Sequence, residues 1–61
     1  MAINISNLWD VVFTTDQGTD LHIYVEEVNE LRAMIAACGE LDPRDVDRLS
    51  KMPVVLKLTV A

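Results

Sequence analysis

Apolar and polar residues alternate along the first half of the chain. Odd positions Ile3, Ile5, Trp9, Val11 and Phe13 are apolar, broken only by Asn7, and the pattern resumes with Leu21, Ile23 and Val25. Even positions are mostly polar: Asn4, Ser6, Asp10 and Thr14, then Asp20, His22, Tyr24 and Glu26. A period of two puts one set on each face of a strand, which predicts a hairpin over residues 2–26 turning at Asp16-Gln17-Gly18. Directly opposed residues of antiparallel strands share a face, so the loop length fixes the register. A two-residue loop at Gln17-Gly18 would set odd residues against even ones. A three-residue loop sets Phe13 opposite Leu21, Val11 opposite Ile23 and Trp9 opposite Val25, with Gly18 in the third, left-handed position. Residues before about Leu8 then lack a partner in the hairpin. Ile3 and Ile5 are expected to pair with a C-terminal strand over 54–60, entered after Pro53 where a strand tolerates proline. In that strand Leu56, Leu58 and Val60 alternate with Val55, Lys57 and Thr59.

Two helical patterns lie between. Over about 27–38, Val28, Leu31, Met34, Ile35 and Cys38 fall on one apolar stripe, with Glu26, Glu27 and Glu30 at the positive end of the helix dipole and Gly39 as a stop. Ala33, Ala36 and Ala37 lie on the far side of that stripe and read most simply as good helix formers, with a close-packed contact as the lesser reading. Over 43–51, Asp42 is an N-cap, Pro43 takes the first helical position, and Leu41 and Val46 form a hydrophobic staple. Asp47 and Lys51 support one another a turn apart. The residue before Pro53 must leave helical geometry, so the helix ends by Met52.

The order is therefore β-β-α-α-β. A right-handed crossover gives a single two-layer α+β domain with an antiparallel sheet in the order 2-1-3 and both helices on the odd face. The expected core is Trp9, Val11, Phe13, Leu21, Ile23, Val25, Leu31, Ile35, Val46, Leu49, Leu56 and Leu58. The even face would carry Leu8, Val12, Tyr24 and Val55 among polar residues, with Lys57 beside them.

Size and charge add to this picture. A chain of 61 residues, half of them hydrophobic, buries only about 60% of its unfolded surface, so help from a second copy or another partner is expected. The net charge is −5, and no base precedes Arg32 while Asp10, Asp16, Asp20, Glu26, Glu27 and Glu30 do. That balance argues against direct nucleic-acid or anionic-membrane binding. One cysteine, Cys38, excludes an internal disulfide. No stretch is long enough to span a bilayer, no basic region leads into an apolar leader, and a lone thiol suits a reducing compartment, so a cytoplasmic location is expected.

Candidate chemistry is sparse. His22 shares a face with Asp10, Asp20 and Tyr24, but without a second His or a Cys it is expected to be a solvated or interface histidine rather than a metal ligand. Cys38 on the apolar stripe reads as a small core residue, and Glu26-Glu27 as dipole partners rather than an acid–base pair. No phosphate loop, GxSxG, CxxC or HExxH motif is present. Neither an enzyme nor a cofactor is expected.

The residues favour a small acidic protein-interaction module. Short acidic α/β chains of this kind are common among bacterial and phage-encoded inhibitors, including antagonists of host defence, an analogy of size and charge alone. The partner would be a protein with a basic surface, met by Asp10, Asp16, Asp20, His22, Tyr24 and Glu26. The alternative is a homodimeric structural or regulatory module, assembled through the even sheet face or a free strand edge.

Overall fold

A three-residue turn sets the geometry of the hairpin. The Thr15 N–H donates to the Thr19 carbonyl at 2.9 Å, the Gly18 N–H donates to the Thr15 carbonyl at 3.0 Å, and Gly18 takes φ 80°. That left-handed conformation costs glycine nothing and most other residues about 1 kcal/mol or more. The computed structural model describes residues 5–58. The hairpin joins β1 (Asn7–Thr14) to β2 (Asp20–Glu27), and α1 (Glu30–Glu40), the single turn α2 (Pro43–Val46) and β3 (Val54–Lys57) follow. Phe13 stands opposite Leu21, Val11 opposite Ile23 and Trp9 opposite Val25, the register that the turn length predicts. The sheet is antiparallel in the order β2-β1-β3, as the crossover argument requires.

The odd face of the hairpin is the core. Val11 and Phe13 are fully buried, with Trp9 and Val25 beside them and Leu21, Ile23, Leu49 and Val55 packed against them. The Trp9 indole N–H donates to the Glu27 carbonyl at 2.8 Å, so its one polar atom is satisfied where the ring is buried.

The helix over this core is turned nearly half a revolution from the predicted orientation. Ala33 and Ala37 are fully buried and Ala36 partly so, while Leu31 and Ile35 are each 61% exposed and Cys38 is exposed too. Large residues already fill the sheet side of the core. Small residues one turn apart let the helix backbone come close, and the bulkier stripe is left outside. The start of α1 also differs from the expected one, because Asn29 caps it by accepting the Arg32 N–H at 2.9 Å. Gly39 lies inside the helix rather than ending it.

The second helix stops at Val46 instead of running to 51. Its cap is the expected one: the Asp42 carboxylate accepts the Arg44 N–H at 2.9 Å. The Arg44 side chain, and then its amide, hold Asp42 below the usual carboxylate range. Beyond Val46, the sheet competes for the chain and wins. The Asp16 N–H donates to the Arg48 carbonyl at 2.7 Å, the Ser50 N–H donates to Thr14 at 3.0 Å, and Leu49 bridges to Thr15. A short exposed helix has too little of its own stability to resist this. Val46 is consequently exposed rather than core.

The same anchor reverses the predicted facing of β3. Leu49 takes a core position opposite Thr15, and the chain then loops out two residues before β3 pairs with β1, an even number that keeps odd residues opposite odd ones. Val55 therefore faces Val11 in the core and Lys57 faces Trp9, while Leu56 faces Asp10 and Val54 faces Val12 on the other side. Leu56 and Leu58, expected in the core, are both substantially exposed. Ile5 is exposed and precedes β1, with no strand pairing among the described residues, whereas Ile3 and Val60 lie outside them.

Unfolding in urea checks this core. Phe13→Ala should lose about 3–5 kcal/mol, and Ala33→Leu or Ala37→Leu about 1–3 kcal/mol by overpacking. Leu31→Ala should change stability by no more than about 0.5 kcal/mol, as an exposed position does.

Candidate functional site

With α1 over the odd face, no described residue covers the even face. It is built from Leu8, Asp10, Val12 and Thr14 of β1, Asp20, His22, Tyr24 and Glu26 of β2, and Val54 and Leu56 of β3. Leu58 follows β3, its N–H donating to the Leu8 carbonyl at 2.8 Å. Leu8, Tyr24, Val54, Leu56 and Leu58 are all exposed large hydrophobics, Tyr24 at 59%. A monomeric surface rarely gathers so many without a use for them.

A polar pair sits in the middle of this apolar field. Asp10 is on the central strand, directly between Tyr24 and Leu56, and only 7% exposed. Its carboxylate oxygens lie 3.1 and 2.9 Å from Nδ1 of His22 on the neighbouring strand. A carboxylate only accepts, so hydrogen-bond chemistry assigns the proton to Nδ1. That bond fixes the ring, which also stacks at 6.3 Å on Tyr24 with an interplanar angle of 16°. The His22 side chain is 46% exposed, and Nε2 makes no bond to a described residue. It is a polar handle held rigidly among apolar neighbours.

The strands place the other acids unequally. Asp20 stays exposed at the edge, accepting the Thr14 hydroxyl at 3.0 Å, and Glu26 is exposed opposite Leu8. Asp16 belongs to the turn instead, with Arg48 Nε 3.9 Å from its carboxylate. Lys57 lies on the core side of β3, so it does not join the even face as the sequence reading has it. The strand residues of this face therefore include no lysine or arginine.

Of the six predicted contact residues, the face brings together Asp10, Asp20, His22, Tyr24 and Glu26 and leaves out Asp16. Val54, Leu56 and Leu58 belong to it and were missed. Their alternation is visible in the sequence, but which way it faces depends on the Leu49 bridge and on the two residues looped out after it. A second missed feature is an open groove of about 530 Å³ lined by Glu27, Leu31, Arg32, Ile35 and Ala36.

The chemistry that the face offers is an aspartate–histidine pair among apolar side chains. That pair has no thiol beside it, since Cys38 is on α1, and the Thr14 hydroxyl is committed to Asp20. Among the described residues no group of three or more His, Cys, Asp or Glu is placed to hold a metal ion, and no helix is long and apolar enough to cross a membrane. No protein-family model, curated protein or solved structure matches the chain.

Opposite substitutions on β3 test which side is open. Val55→Asp should bury an unpaired charge and cost about 3 kcal/mol or more, while Leu56→Asp should cost under about 1 kcal/mol. Thermal unfolding of the two variants separates the outcomes. If Leu56→Asp unfolds the chain and Val55→Asp does not, the register of β3 is the reverse of that described.

Proposed function

We propose that the chain is a protein-binding module, not an enzyme, that docks the open face of its sheet on a partner with a basic surface. Its exposed apolar side chains would enter the contact and its acids would face the partner's bases, inhibiting that partner by occupying the surface. The observation that carries this reading is the uncovered field of Leu8, Tyr24, Val54, Leu56 and Leu58, edged by Asp20 and Glu26 with no lysine or arginine on its strands. Apolar contact supplies affinity, with an aromatic such as Tyr24 as the usual anchor. The acids supply steering, which speeds encounter with a basic surface and suppresses acidic ones. The same charge disfavours nucleic acid as the direct ligand. An exposed free thiol, Cys38, suits a reducing cytoplasmic setting.

The test starts with capture of a partner from the source cell at low salt and its release at high salt, since steering is screened over about 10 Å at 0.1 M. Affinities of variants then locate the contact. Leu56→Ala with Asp20→Lys should weaken binding by tenfold or more, equivalent to about 1.4 kcal/mol. Reversing Asp45 and Asp47 beside α2 should leave it unchanged. Asp10 is unsuitable for reversal because it is buried against His22. Loss of binding in the α2 variant alone would place the contact on the crossover and refute the reading.

A further inference from the structure

The free edge of β2 is built to pair with itself. Antiparallel ladders alternate between residues that bond inward and residues whose N–H and C=O point away. Thr15 and Thr19 bond each other at the turn, which directs the backbone groups of Leu21, Ile23 and Val25 towards β1. Those of Asp20, His22, Tyr24 and Glu26 point outward. The other side of β1 agrees with this phase, because the Leu8 and Thr14 carbonyls receive N–H groups from Leu58 and Ser50. In the order β2-β1-β3, β2 is an edge strand of eight residues with no proline. Such edges are commonly blunted by proline, charged residues or a bulge; Asp20–Glu27 has no proline, lysine or bulge, and its acids Asp20, Glu26 and Glu27 stand only at its two ends.

We propose that two copies of this chain join β2 to β2 about a two-fold axis at Tyr24, forming one continuous six-stranded sheet. Centred on Tyr24, the symmetric register keeps the acids of β2 from directly opposing one another. It sets Tyr24 against Tyr24 of the second copy, and His22 against Glu26 of the second copy on both sides of the axis. That register opposes no two carboxylates across the seam, and Nδ1 of His22 stays on Asp10. On the other face, Ile23 meets Val25 of the second copy. Moving the axis to Ile23 would set Asp20 against Glu26 twice, and like charges directly opposed are unfavourable.

Edge hydrogen bonds alone bury less than the roughly 1,200 Å² at which stable interfaces begin. The rest comes from α1, which packs chiefly on β2 and so stands at the edge being joined. The two-fold keeps both odd faces on one side and brings the two helices together there. The exposed Leu31 and Ile35, which line the groove beside the end of β2, then cover one another. This accounts for the large residues that the packing of Ala33 and Ala37 turns outward. The dimer does not rest on the reading of the open face; it leaves that face uncovered and doubles it.

Sedimentation of the full chain from micromolar to millimolar concentration should show a monomer–dimer equilibrium, and Tyr24→Lys should weaken it at least tenfold. In a Cys38→Ser background, oxidation should cross-link Tyr24→Cys, whose Cα atoms would oppose at about 5.5 Å, within disulfide reach. His22→Cys and Leu56→Cys should stay uncross-linked. A parent that sediments as a monomer throughout overturns the proposal. So does preferential cross-linking of Leu56→Cys, which would mean that copies meet by the open face, or of His22→Cys, which would mean a shifted register. None of these outcomes bears on partner affinity, which is read with Leu56→Ala on β3, away from the paired edge.

Discussion

The turn at Gly18 is the constraint from which the rest follows. By holding three residues in the loop, it opposes Trp9, Val11 and Phe13 to Val25, Ile23 and Leu21, so one face of the hairpin is apolar throughout. One residue fewer would put those sets on opposite faces and leave no core to cover. β1 then becomes the central strand, and every later element is placed against it: α1 over its odd face, the Arg48–Ser50 stretch against Thr14–Asp16, and β3 against Trp9–Val12.

The hairpin and the sheet order were legible because a period of two is unambiguous and the turn carries its own geometric check. The outward face of α1 was not. A stripe of Leu31, Ile35 and Cys38 outweighs Ala33 and Ala37 on any hydrophobicity scale, yet the space left above a sheet filled by Trp9 and Phe13 admits only the alanines. Volume decided, and volume is a property of the assembled core rather than of the helix. β3 was ambiguous for a related reason. Val54, Leu56 and Leu58 are as apolar as the set led by Val55, so pattern could not choose between them; the choice is made by the Leu49–Thr15 bridge together with the two-residue excursion that follows it. The cap at Asn29 was present in the sequence and overlooked in favour of an earlier start at the glutamates. For the site, acids and Tyr24 were legible on one strand, but its apolar half arrives on β3 and depends on that same bridge.

These departures point one way. Each exchanges a large residue expected inside for a smaller one, and leaves the large one at the surface. Alanine beneath the helix draws it close and turns Leu31 and Ile35 outward; Val55 in the core turns Leu56 outward. A chain of 61 residues has little stability to spare, and surface leucines add little to it. They are better explained by what they could meet, at the β2 edge in one case and on the open sheet face in the other.

The most direct measurement of that asymmetry is the attenuation of methyl NMR signals by a soluble paramagnetic probe, on the purified chain without a partner. The structure predicts strong attenuation at Leu8, Val54 and Leu56 and little at Val11, Val25 and Val55. Edge-to-edge pairing of two copies leaves that contrast intact. Protection of Val54 and Leu56 equal to that of Val11 and Val55 would mean that the even face is covered, and would contradict the account.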